Sequence, residues 1–376
     1  MLLQGTPCFY LVVLIGEYMS KGKVLGVILI ILLIVFIVFT RKGLFGKGDV
    51  AEEQNRYTAT FIDIFDTRTE IVGYAPTEDE FSKKATALRE ELINYNNLYD
   101  IYNDYEGVNN IKTINDNAGV QPVVVDEKII DLLKFSKEMY AATDGRVNIA
   151  MGSVLSIWHR YREAGVDDPE NAKLPPIEDL KAAAEHTDIE NLIIDETAKT
   201  VYLQDPEMSL DVGSTAKGYA AQKTMEFARA QGYSNMLLSL GGNIAGIDGR
   251  IDGTPFRLGI QNPDMDSDVD YIKKVDIKDG QCVVSSGDYQ RYYEVDGKRY
   301  CHIINPDTLF PSDTFAQVSI ITDDSGMADA FSTALYNMTI EDGLEFVNTN
   351  DNIEAMWVYA DGSIVYSDNF EQYLVD

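Results

Sequence analysis

The sequence predicts an α+β fold, a single large domain with a mainly antiparallel sheet and flanking helices. Apolar residues recur at helical spacing in four segments, which are Glu78–Leu98, Glu127–Ala142, Thr215–Ala230 and Ser325–Asn337. Short apolar, β-branched runs predict strands at Leu192–Ile194, Thr200–Leu203, Met236–Leu240, Phe256–Ile260, Gln281–Ser285, Tyr292–Val295 and Gln317–Ile321. Asp296-Gly297 favours a two-residue hairpin turn between Tyr293 and Lys298. Hairpins argue for an antiparallel sheet and against a doubly wound one.

An uncharged apolar run from Val24 to Phe39 precedes the predicted domain. With Thr40 it just reaches the lower limit of about 17 residues for a membrane-spanning helix. Basic residues flank the run on both sides, so the charge comparison does not orient it. A cleaved signal peptide is the alternative, but no small-x-small cleavage site follows Thr40. We therefore expect an uncleaved signal anchor.

Four segments are expected along the 376 residues. Residues 1–23 form an N-terminal segment, whose native start we expect at Met19 because Met-Ser-Lys-Gly-Lys resembles an ordinary anchor start. The transmembrane signal anchor covers 24–40, a polar linker covers 41–56, and one domain covers 57–376. Within that domain Glu163–Glu178 is rich in Pro, Asp and Gly, which predicts a surface excursion.

The charge and the cysteine spacing argue against two classes of protein, nucleic-acid-binding proteins and zinc-binding proteins. The net charge is −30, so a broad basic face for nucleic acid is not expected. A nucleotide site in such a chain needs a metal ion or local Lys and Arg to receive phosphate groups. The three cysteines, Cys8, Cys282 and Cys301, show no zinc-ligand spacing. Burial of Cys282 and Cys301 as small apolar residues is favoured over a disulfide between them.

The segment Leu210–Tyr219 could bind an anion. We expect an apolar strand to end at Asp211, a turn at Gly213 and a helix to begin near Ser214. Free N–H groups at a helix start face an anion favourably, and Lys217 adds a positive charge. The spacing is not that of a phosphate-binding P-loop. A well-capped surface helix is the alternative.

The helical segment Ser325–Leu335 could bind a metal ion. Asp329 and Thr333 are four residues apart and share one helix face. A carboxylate and a hydroxyl at this spacing suit Mg²⁺, with phosphates and water completing its coordination. The alternative is an Asp that is favourable near a helix N-terminus and a Thr bonded to its own backbone.

Three further segments are candidate ligand-binding segments. Gly241, Gly242 and Asn243 lie between two predicted strands, where backbone without side chains allows a flat ligand to approach, although Gly-Gly and Gly-Asn are also ordinary turns. The second segment, from Ser286 to Arg291, offers hydroxyl, carboxylate, aromatic and guanidinium groups that suit a ribityl chain or a phosphate. The alternative is an ordinary polar turn. The third segment contains His302 before an Asn-Pro turn, and this histidine has either a catalytic or a structural role. The candidate residues in these two segments are Ser286, Gly287, Asp288, Tyr289 and Arg291, and His302 and Ile303.

Together and in this order, the five motifs resemble the ApbE family of FAD:protein FMN transferases. The matching words are Asp-Val-Gly-Ser-Thr-Ala-Lys-Gly-Tyr, Gly-Gly-Asn, Ser-Gly-Asp-Tyr-Gln-Arg, His-Ile-Ile-Asn-Pro and Ala-Asp-Ala-Phe-Ser-Thr-Ala. The resemblance runs from about Thr58 to the C-terminus and implies an ApbE-like, T-fold-like domain. One departure is Thr308-Leu-Phe-Pro311, where the family often has Thr-Gly-x-Pro. We expect it to reshape a wall of the groove for the acceptor protein.

The resemblance also implies roles for individual residues. It assigns Mg²⁺ to Asp329, Thr333 and the backbone carbonyl of Ser214, and it assigns the role of active-site histidine to His302. It places the remaining residues around FAD: Asp211 and Lys217 near the dinucleotide, Ala150, Met151 and Gly152 along the flavin, and Tyr102, with Tyr105 as an alternative, near the adenine.

The implied activity is Mg²⁺-dependent transfer of FMN from FAD to a Thr or Ser hydroxyl of another protein, with release of AMP. His302 either accepts the hydroxyl proton or only orients the flavin. Two alternatives remain, a Mg²⁺-dependent FAD pyrophosphatase that yields FMN and AMP, and a flavin-binding redox module without turnover. The implied acceptors are extracytoplasmic flavoproteins or subunits of Rnf- or Nqr-type membrane redox complexes. With the anchor, we expect a single-pass cell-membrane protein whose catalytic domain is extracytoplasmic.

Overall fold

The computed structural model describes residues 54–375, which fold into sixteen strands and eight α-helices. The helices are α1 (Glu78–Tyr99), α2 (Ile111–Asp116), α3 (Glu127–Ala142), α4 (Gly152–Asp167), α5 (Ile177–Ala184), α6 (Ala216–Ala230), α7 (Ser325–Tyr336) and α8 (Ile340–Asn348). Short 3₁₀ turns occupy Pro169–Asn171, Ile189–Asn191 and Phe370–Tyr373.

The strands of the principal sheet are β1 (Asn55–Ile64), β2 (Thr67–Ala75), β6 (Met236–Leu240), β7 (Asn243–Ile247), β10 (Cys282–Gly287), β13 (Phe315–Thr322), β14 (Glu354–Tyr359) and β15 (Ile364–Tyr366). The other strands are β3 (Val123–Val124), β4 (Leu192–Asp195), β5 (Thr200–Leu203), β8 (Phe256–Gln261), β9 (Tyr271–Ile277), β11 (Tyr292–Val295), β12 (Lys298–Cys301) and β16 (Leu374–Val375).

The principal sheet has the order β1-β2-β6-β7-β10-β13-β14-β15, and all its pairings are antiparallel. Alternate residues point to opposite faces, and both faces are buried. One face carries Val284, Val318 and Trp357 into the main core beneath α1, α6 and α7. The opposite face packs against the sheet β16-β9-β8. The principal sheet is thus covered on both faces, and α6 and α7 lie together on the same face.

A smaller apolar cluster stands apart from these two cores. It joins α4, α5 and the β11–β12 hairpin through Trp158, Leu180, Tyr293 and Leu309. The Trp158 indole N–H donates to the Leu309 carbonyl oxygen at 2.9 Å. This cluster fixes α4 beside the chain segment that follows β12.

The mainly antiparallel α+β architecture is confirmed, and the four predicted helices end within one residue of their expected limits. The Asp296-Gly297 turn is also confirmed, with φ values of 52° and 74° at its two residues. The strand expected to end at Asp211 is wrong: only one bridge, between Met151 and Ser209, forms there. The helix beyond it begins at Ala216, two residues after Ser214. The excursion expected from Glu163 begins later, because α4 continues to Asp167.

The N-terminal expectations fall largely outside the description. The segment 1–23, the anchor at 24–40 and most of the linker at 41–56 lie outside residues 54–375. β1 begins at Asn55, two residues before the expected start of the domain. No helix within the described range is long and apolar enough to cross a membrane.

Candidate active site

A cavity of about 320 Å³ opens where α4, the start of α6, α7 and the segment after β12 meet. The turn between β1 and β2 and the loop after α1 complete its walls. Six segments that are distant in sequence therefore build one pocket. Its lining includes Asp66, Tyr102, Tyr105, Arg146, Asn148, Met151, Leu155, His159, Arg162, Asp211, Ser214, Lys217, Arg291, His302, Ile303 and Thr333.

The start of α6 is capped by a different helix. Its N-cap residue, Thr215, makes no side-chain cap hydrogen bond, because the hydroxyl is engaged with Ser136 at 3.0 Å and with the Val212 carbonyl. Instead, the carboxylate Oδ2 of Asp329 on α7 accepts from the backbone N–H of Gly218 at 2.8 Å. An acidic group here satisfies a free donor and complements the helix dipole. The carboxylate is thereby held at the positive end of α6.

Gly218 makes this close approach possible. A Cβ at that position would clash with the Ser325 carbonyl oxygen and with the Cβ of Asp329. The glycine in Ala-Lys-Gly-Tyr therefore serves helix–helix contact, and it brings the first turn of α6 against the first turn of α7.

Oxygen atoms of the kind that bind metal ions lie where α6 and α7 meet. They belong to Asp329, Thr333 and Ser214. Asp329 is 6% exposed, and no described residue donates a hydrogen bond to its Oδ1. Thr333 lies one turn further along α7 and lines the cavity, as does Ser214 in the turn before α6. Burial raises the pKa of Asp329, while Lys217 and the Gly218 N–H oppose that rise. No group of three His, Cys, Asp or Glu side chains within residues 54–375 is arranged to hold a metal ion.

Four basic side chains line the cavity in this strongly acidic chain, and one of them, Arg146, pairs with Asp307. The other three are Lys217, Arg162 and Arg291. Neither the Arg162 nor the Arg291 guanidinium makes a hydrogen bond or ion pair with any residue in the described range, and Lys217 reaches only the Gly213 carbonyl at 3.5 Å. Burial lowers the pKa of Arg162, and Arg291 lowers it further. Cations left unpaired beside one another favour an anionic ligand between them.

His302 lies among these cations and is neutral. Burial lowers its pKa to about 3, and Lys217, Arg291 and Arg162 contribute in the same direction. Its Nδ1 lies 3.3 Å from the backbone oxygen of Arg291. A carbonyl can only accept, so Nδ1 carries the hydrogen and Nε2 keeps its lone pair. The ring is therefore arranged to accept a proton through Nε2.

A second histidine, His159 on α4, also lies in the cavity wall. Its Nδ1 is 2.9 Å from the hydroxyl of Tyr102, and its Nε2 is 3.8 Å from Oδ2 of Asp211. Asp211 in turn accepts from the Gly213 N–H at 2.9 Å. His159 lies outside the five sequence motifs, and its position in the sequence indicates no function.

Nine of the predicted site residues line the cavity: Tyr102, Met151, Asp211, Ser214, Lys217, Arg291, His302, Ile303 and Thr333. Asp329 lies directly behind them through its bond to Gly218. Tyr105, the alternative to Tyr102, lines the cavity too, and its hydroxyl donates to Asp100 at 2.7 Å. The structure thus brings together the first, fourth and fifth motifs and Arg291 of the third.

The remaining predicted residues are not among those that line the cavity, and their assignment to flavin stays a prediction. Ala150 is fully buried in the main core. Gly152 lies so close to the Ser209 carbonyl that a side chain would clash. The left-handed Gly241 (φ 55°) and Gly242 (φ 92°) form the β6–β7 turn, and a Cβ at Gly241 would clash with the Thr67 side chain at the start of β2.

Asn243 and the residues at the end of β10 are also set back from the cavity. Asn243 is buried, and its side-chain amide donates to the Leu240 carbonyl at 3.1 Å. The other residues have local roles: the Ser286 hydroxyl bonds Ser332 at 2.7 Å, Gly287 leaves room for the Tyr289 ring, and Asp288 lies 3.9 Å from Arg299.

Two cavity residues, His159 and Arg162, belong to none of the five sequence motifs. With Leu155 they occupy positions i, i+4 and i+7 of α4, and all three line the cavity. This spacing places them on one helix face. A histidine and an arginine that share a helix face with an apolar residue were the sequence feature from which this wall of the cavity could have been predicted. Arg146, which pairs with Asp307 at 3.1 Å, and Asn148 also lie outside these motifs.

Known proteins share the sequence family and the fold of this chain. The model of the ApbE family matches residues 65–357. The chain belongs to the ApbE family.

Among curated relatives of the family, an FAD:protein FMN transferase of Klebsiella pneumoniae (strain 342) is 32% identical over 258 residues, covering 68% of this chain and 77% of that protein. The FAD:protein FMN transferase of Escherichia coli (strain K12) is 29% identical over 273 residues, covering 71% and 75%.

Solved structures share the fold. The ApbE protein of Thermotoga maritima superposes with a TM-score of 0.74 at 28% identity, covering 85% of this chain and 100% of that one. The flavin transferase ApbE of Vibrio cholerae gives 0.70 at 22% identity, covering 85% and 100%. At that identity the second likeness concerns the fold alone.

Proposed function

We propose that the chain is an FAD:protein FMN transferase, which moves FMN from FAD to a Thr or Ser hydroxyl of an acceptor protein and releases AMP. The observation that carries this proposal is the set of cations without an acidic partner, Lys217, Arg162 and Arg291, beside the oxygen ligands of α7. A dinucleotide with a charged pyrophosphate fits such a site. The curated relatives carry the name of this activity.

The pyrophosphate would lie between the start of α6, which carries Lys217, and the guanidinium groups of Arg162 and Arg291. Helix N–H groups and charged side chains bind phosphate oxygens strongly. These interactions fix the phosphorus on the FMN side against the incoming hydroxyl. Catalysis of phosphoryl transfer depends largely on such positioning and on stabilising charge on the phosphoryl oxygens.

The donor set fits Mg²⁺. Asp329 offers an oxygen that no described residue engages, Thr333 a hydroxyl on the same helix face, and Ser214 a backbone carbonyl at the cavity wall. Hard oxygen ligands, few in number and next to a phosphate site, are typical of Mg²⁺. When bound, the ion would neutralise charge on the phosphoryl oxygens.

His302 would take the proton from the attacking hydroxyl. The hydroxyl oxygen forms a bond to the phosphorus, the bond from that phosphorus to the AMP phosphate oxygen breaks, and Nε2 receives the proton. The three charges that lower the pKa of His302 are those that a bound pyrophosphate offsets. Substrate binding therefore raises the basicity of the histidine at the step that requires it.

The test is to incubate the protein with FAD, Mg²⁺ and membrane protein fractions or single acceptor candidates. Intact-mass and peptide mass spectrometry should show one FMN on a Thr or Ser, with one AMP released per modification. Matched controls are FMN in place of FAD, and an acceptor whose target Thr is replaced by Val.

Three results would contradict the proposal in different ways. AMP release without acceptor modification identifies an FAD pyrophosphatase. Intact FAD recovered after Mg²⁺ addition identifies a flavin-binding module. If the protein does not bind FAD at all, the transferase activity and both of these alternatives are excluded.

The proposed location is the cell membrane, through the apolar run Val24–Phe39 as a single-pass anchor with the domain on the extracytoplasmic side. The proposed partners are extracytoplasmic flavoproteins or subunits of Rnf- or Nqr-type redox complexes. Comparing FMN-modified membrane peptides with and without the gene product tests both statements, because the modified sites reveal the acceptor and its side of the membrane.

A further inference from the structure

His159 connects two walls of the cavity that belong to different elements. Its Nδ1 approaches the hydroxyl of Tyr102, in the loop after α1, at 2.9 Å. Its Nε2 lies 3.8 Å from the carboxylate of Asp211, in the turn before α6. The ring thus lies between the loop after α1 and the turn that starts α6.

Tyr102 presents an exposed but fixed aromatic ring. The residue is 58% exposed although it is large and apolar in part. Its backbone N–H donates to Asp100 at 2.6 Å, and its hydroxyl reaches His159, so both ends of the residue are held. A ring that is exposed and already ordered provides a stacking surface with little further loss of conformational freedom.

Asp211 orders the other wall. Its Oδ1 accepts from the Gly213 N–H at 2.9 Å, and its own backbone N–H donates to the Ile149 carbonyl at 2.8 Å. These bonds fix the turn that presents Ser214 and the first turn of α6. A displacement of Asp211 would move the backbone that faces the phosphate groups.

The hydrogen-bond directions are consistent with a neutral ring. A neutral His159 with its hydrogen on Nε2 points that hydrogen toward the Asp211 carboxylate and accepts the Tyr102 hydroxyl hydrogen at Nδ1. Burial favours the neutral form, Asp211 and Glu163 favour the charged one, and Arg162 and Arg291 oppose charging. The Tyr102 hydroxyl is thus hydrogen-bonded to Nδ1, while Nε2 at 3.8 Å makes an electrostatic contact with the Asp211 carboxylate.

We propose that His159 is a positioning residue for the dinucleotide. It holds the Tyr102 ring against one of the two aromatic ring systems of FAD, and it keeps that ring at a fixed distance from the turn that receives the pyrophosphate. The inference rests on the proposed function, because it requires FAD in this cavity. It assigns to α4 a part in nucleotide binding beyond forming the wall.

The test compares variants of the full protein by equilibrium binding of FAD, followed by flavin fluorescence anisotropy, and by steady-state kinetics. His159→Ala should weaken FAD binding and raise KM about tenfold with kcat within about twofold, the cost of one hydrogen bond to an ordered partner. His159→Asn should restore most of the binding, because its amide can occupy the position of Nδ1. Tyr102→Phe should match His159→Ala, and the double variant should add nothing further.

The control is His186→Ala. His186 has comparable polar contacts, to Asp205 at 2.8 Å and Glu207 at 3.4 Å, but lies outside the cavity lining. It should leave FAD binding unchanged. Tyr102→Phe removes only a hydroxyl, so it remains informative if His159→Ala fails to fold.

Three results separate this inference from the proposed function. If the wild-type protein binds FAD and both His159→Ala and Tyr102→Phe bind it equally tightly, His159 has no positioning role. If the two single losses add in the double variant, the proposed connection through the hydroxyl is absent. If the wild-type protein binds no FAD, the proposed function itself fails, and the inference fails with it.

Discussion

The backbone N–H of Gly218 donates to the carboxylate of Asp329 at 2.8 Å, so one helix of the pocket caps the other. The bond explains two features of the sequence that look unrelated, a glycine in the first turn of α6 and a buried carboxylate in α7. It also sets the position of the proposed metal ligand.

Gly218→Ala should separate the two helices. The added Cβ would meet the Ser325 carbonyl and Asp329, and overpacking of this kind costs roughly 1–3 kcal/mol. Denaturant unfolding should show that loss, although Ala normally stabilises a helix relative to Gly. FMN transfer should fall with it, because Asp329 loses its position. A variant as stable and active as the wild type would show that the contact is not tight.

Asp329→Asn should stabilise the metal-free protein while abolishing transfer. Burial raises the pKa of this carboxyl, so its charged form is unfavourable without a ligand. Asn keeps the shape and the acceptor for Gly218, and we expect a gain of about 1 kcal/mol in the free energy of unfolding. Stabilisation by Mg²⁺ with FAD should disappear in thermal unfolding.

The matched control for this variant is Asp324→Asn. Asp324 caps α7 by accepting from the Met327 N–H at 2.9 Å, a role that Asn fills equally well. It should retain both activity and the response to Mg²⁺. If Asp324→Asn loses that response as Asp329→Asn does, Asp329 has no special relation to the metal.

Arg162→Gln and Arg291→Gln should each raise KM for FAD by about 10- to 100-fold, the range for a hydrogen bond to a charged group. Both guanidinium groups line the cavity without a partner in the described protein. The salt dependence of FAD binding should also weaken. Arg257→Gln is the control, since Arg257 pairs with Asp276 at 2.9 Å away from the cavity. Equal effects at all three positions would indicate a general charge effect.

Leu309→Gly should destabilise the protein even though it relieves the backbone strain at this position. Leu309 adopts φ of 63°, where a side chain costs about 1 kcal/mol. The side chain is only 9% exposed and packs in the cluster with Trp158, a burial worth about 2 kcal/mol. The net loss should be about 1 kcal/mol by urea unfolding. A more stable Leu309→Gly protein would show that backbone strain outweighs packing here.

Protonation of His302 should make stability depend on pH. Its pKa is lowered to about 3 in the folded protein against 6.5 without the fold. Between these values the unfolded chain binds the proton and the folded chain does not, so stability falls as the pH falls below about 6.5. From pH 7 to pH 5 the wild type should lose about 1–2 kcal/mol more than His302→Asn. Parallel pH profiles for the two proteins would contradict the lowered pKa.

Local patterns predicted most of the fold around the site. Helical spacing located α1, α3, α6 and α7 because each buries one face in a single core. The strand expected before Asp211 failed because Leu210 is buried by neighbouring segments without a strand partner. Apolar content alone does not distinguish these two ways of burying a residue.

The site was predictable only in part. Asp329 and Thr333 could be paired because four residues separate them on one helix. Gly218 and Asp329 are 111 residues apart, and no local rule joins them. His159 belongs to no motif, and its role depends on where the loop of Tyr102 and the turn of Asp211 meet.

The central claim is that Asp329, Thr333 and Ser214 hold the divalent ion that faces the pyrophosphate of FAD. A crystal structure with FAD and Mn²⁺ in place of Mg²⁺ tests it directly, through the anomalous signal of the metal. The account predicts one peak within coordination distance of the Asp329 carboxylate, the Thr333 hydroxyl and the Ser214 carbonyl, touching a phosphate oxygen. A peak elsewhere, with FAD bound and Asp329 bonded only to Gly218, would contradict it.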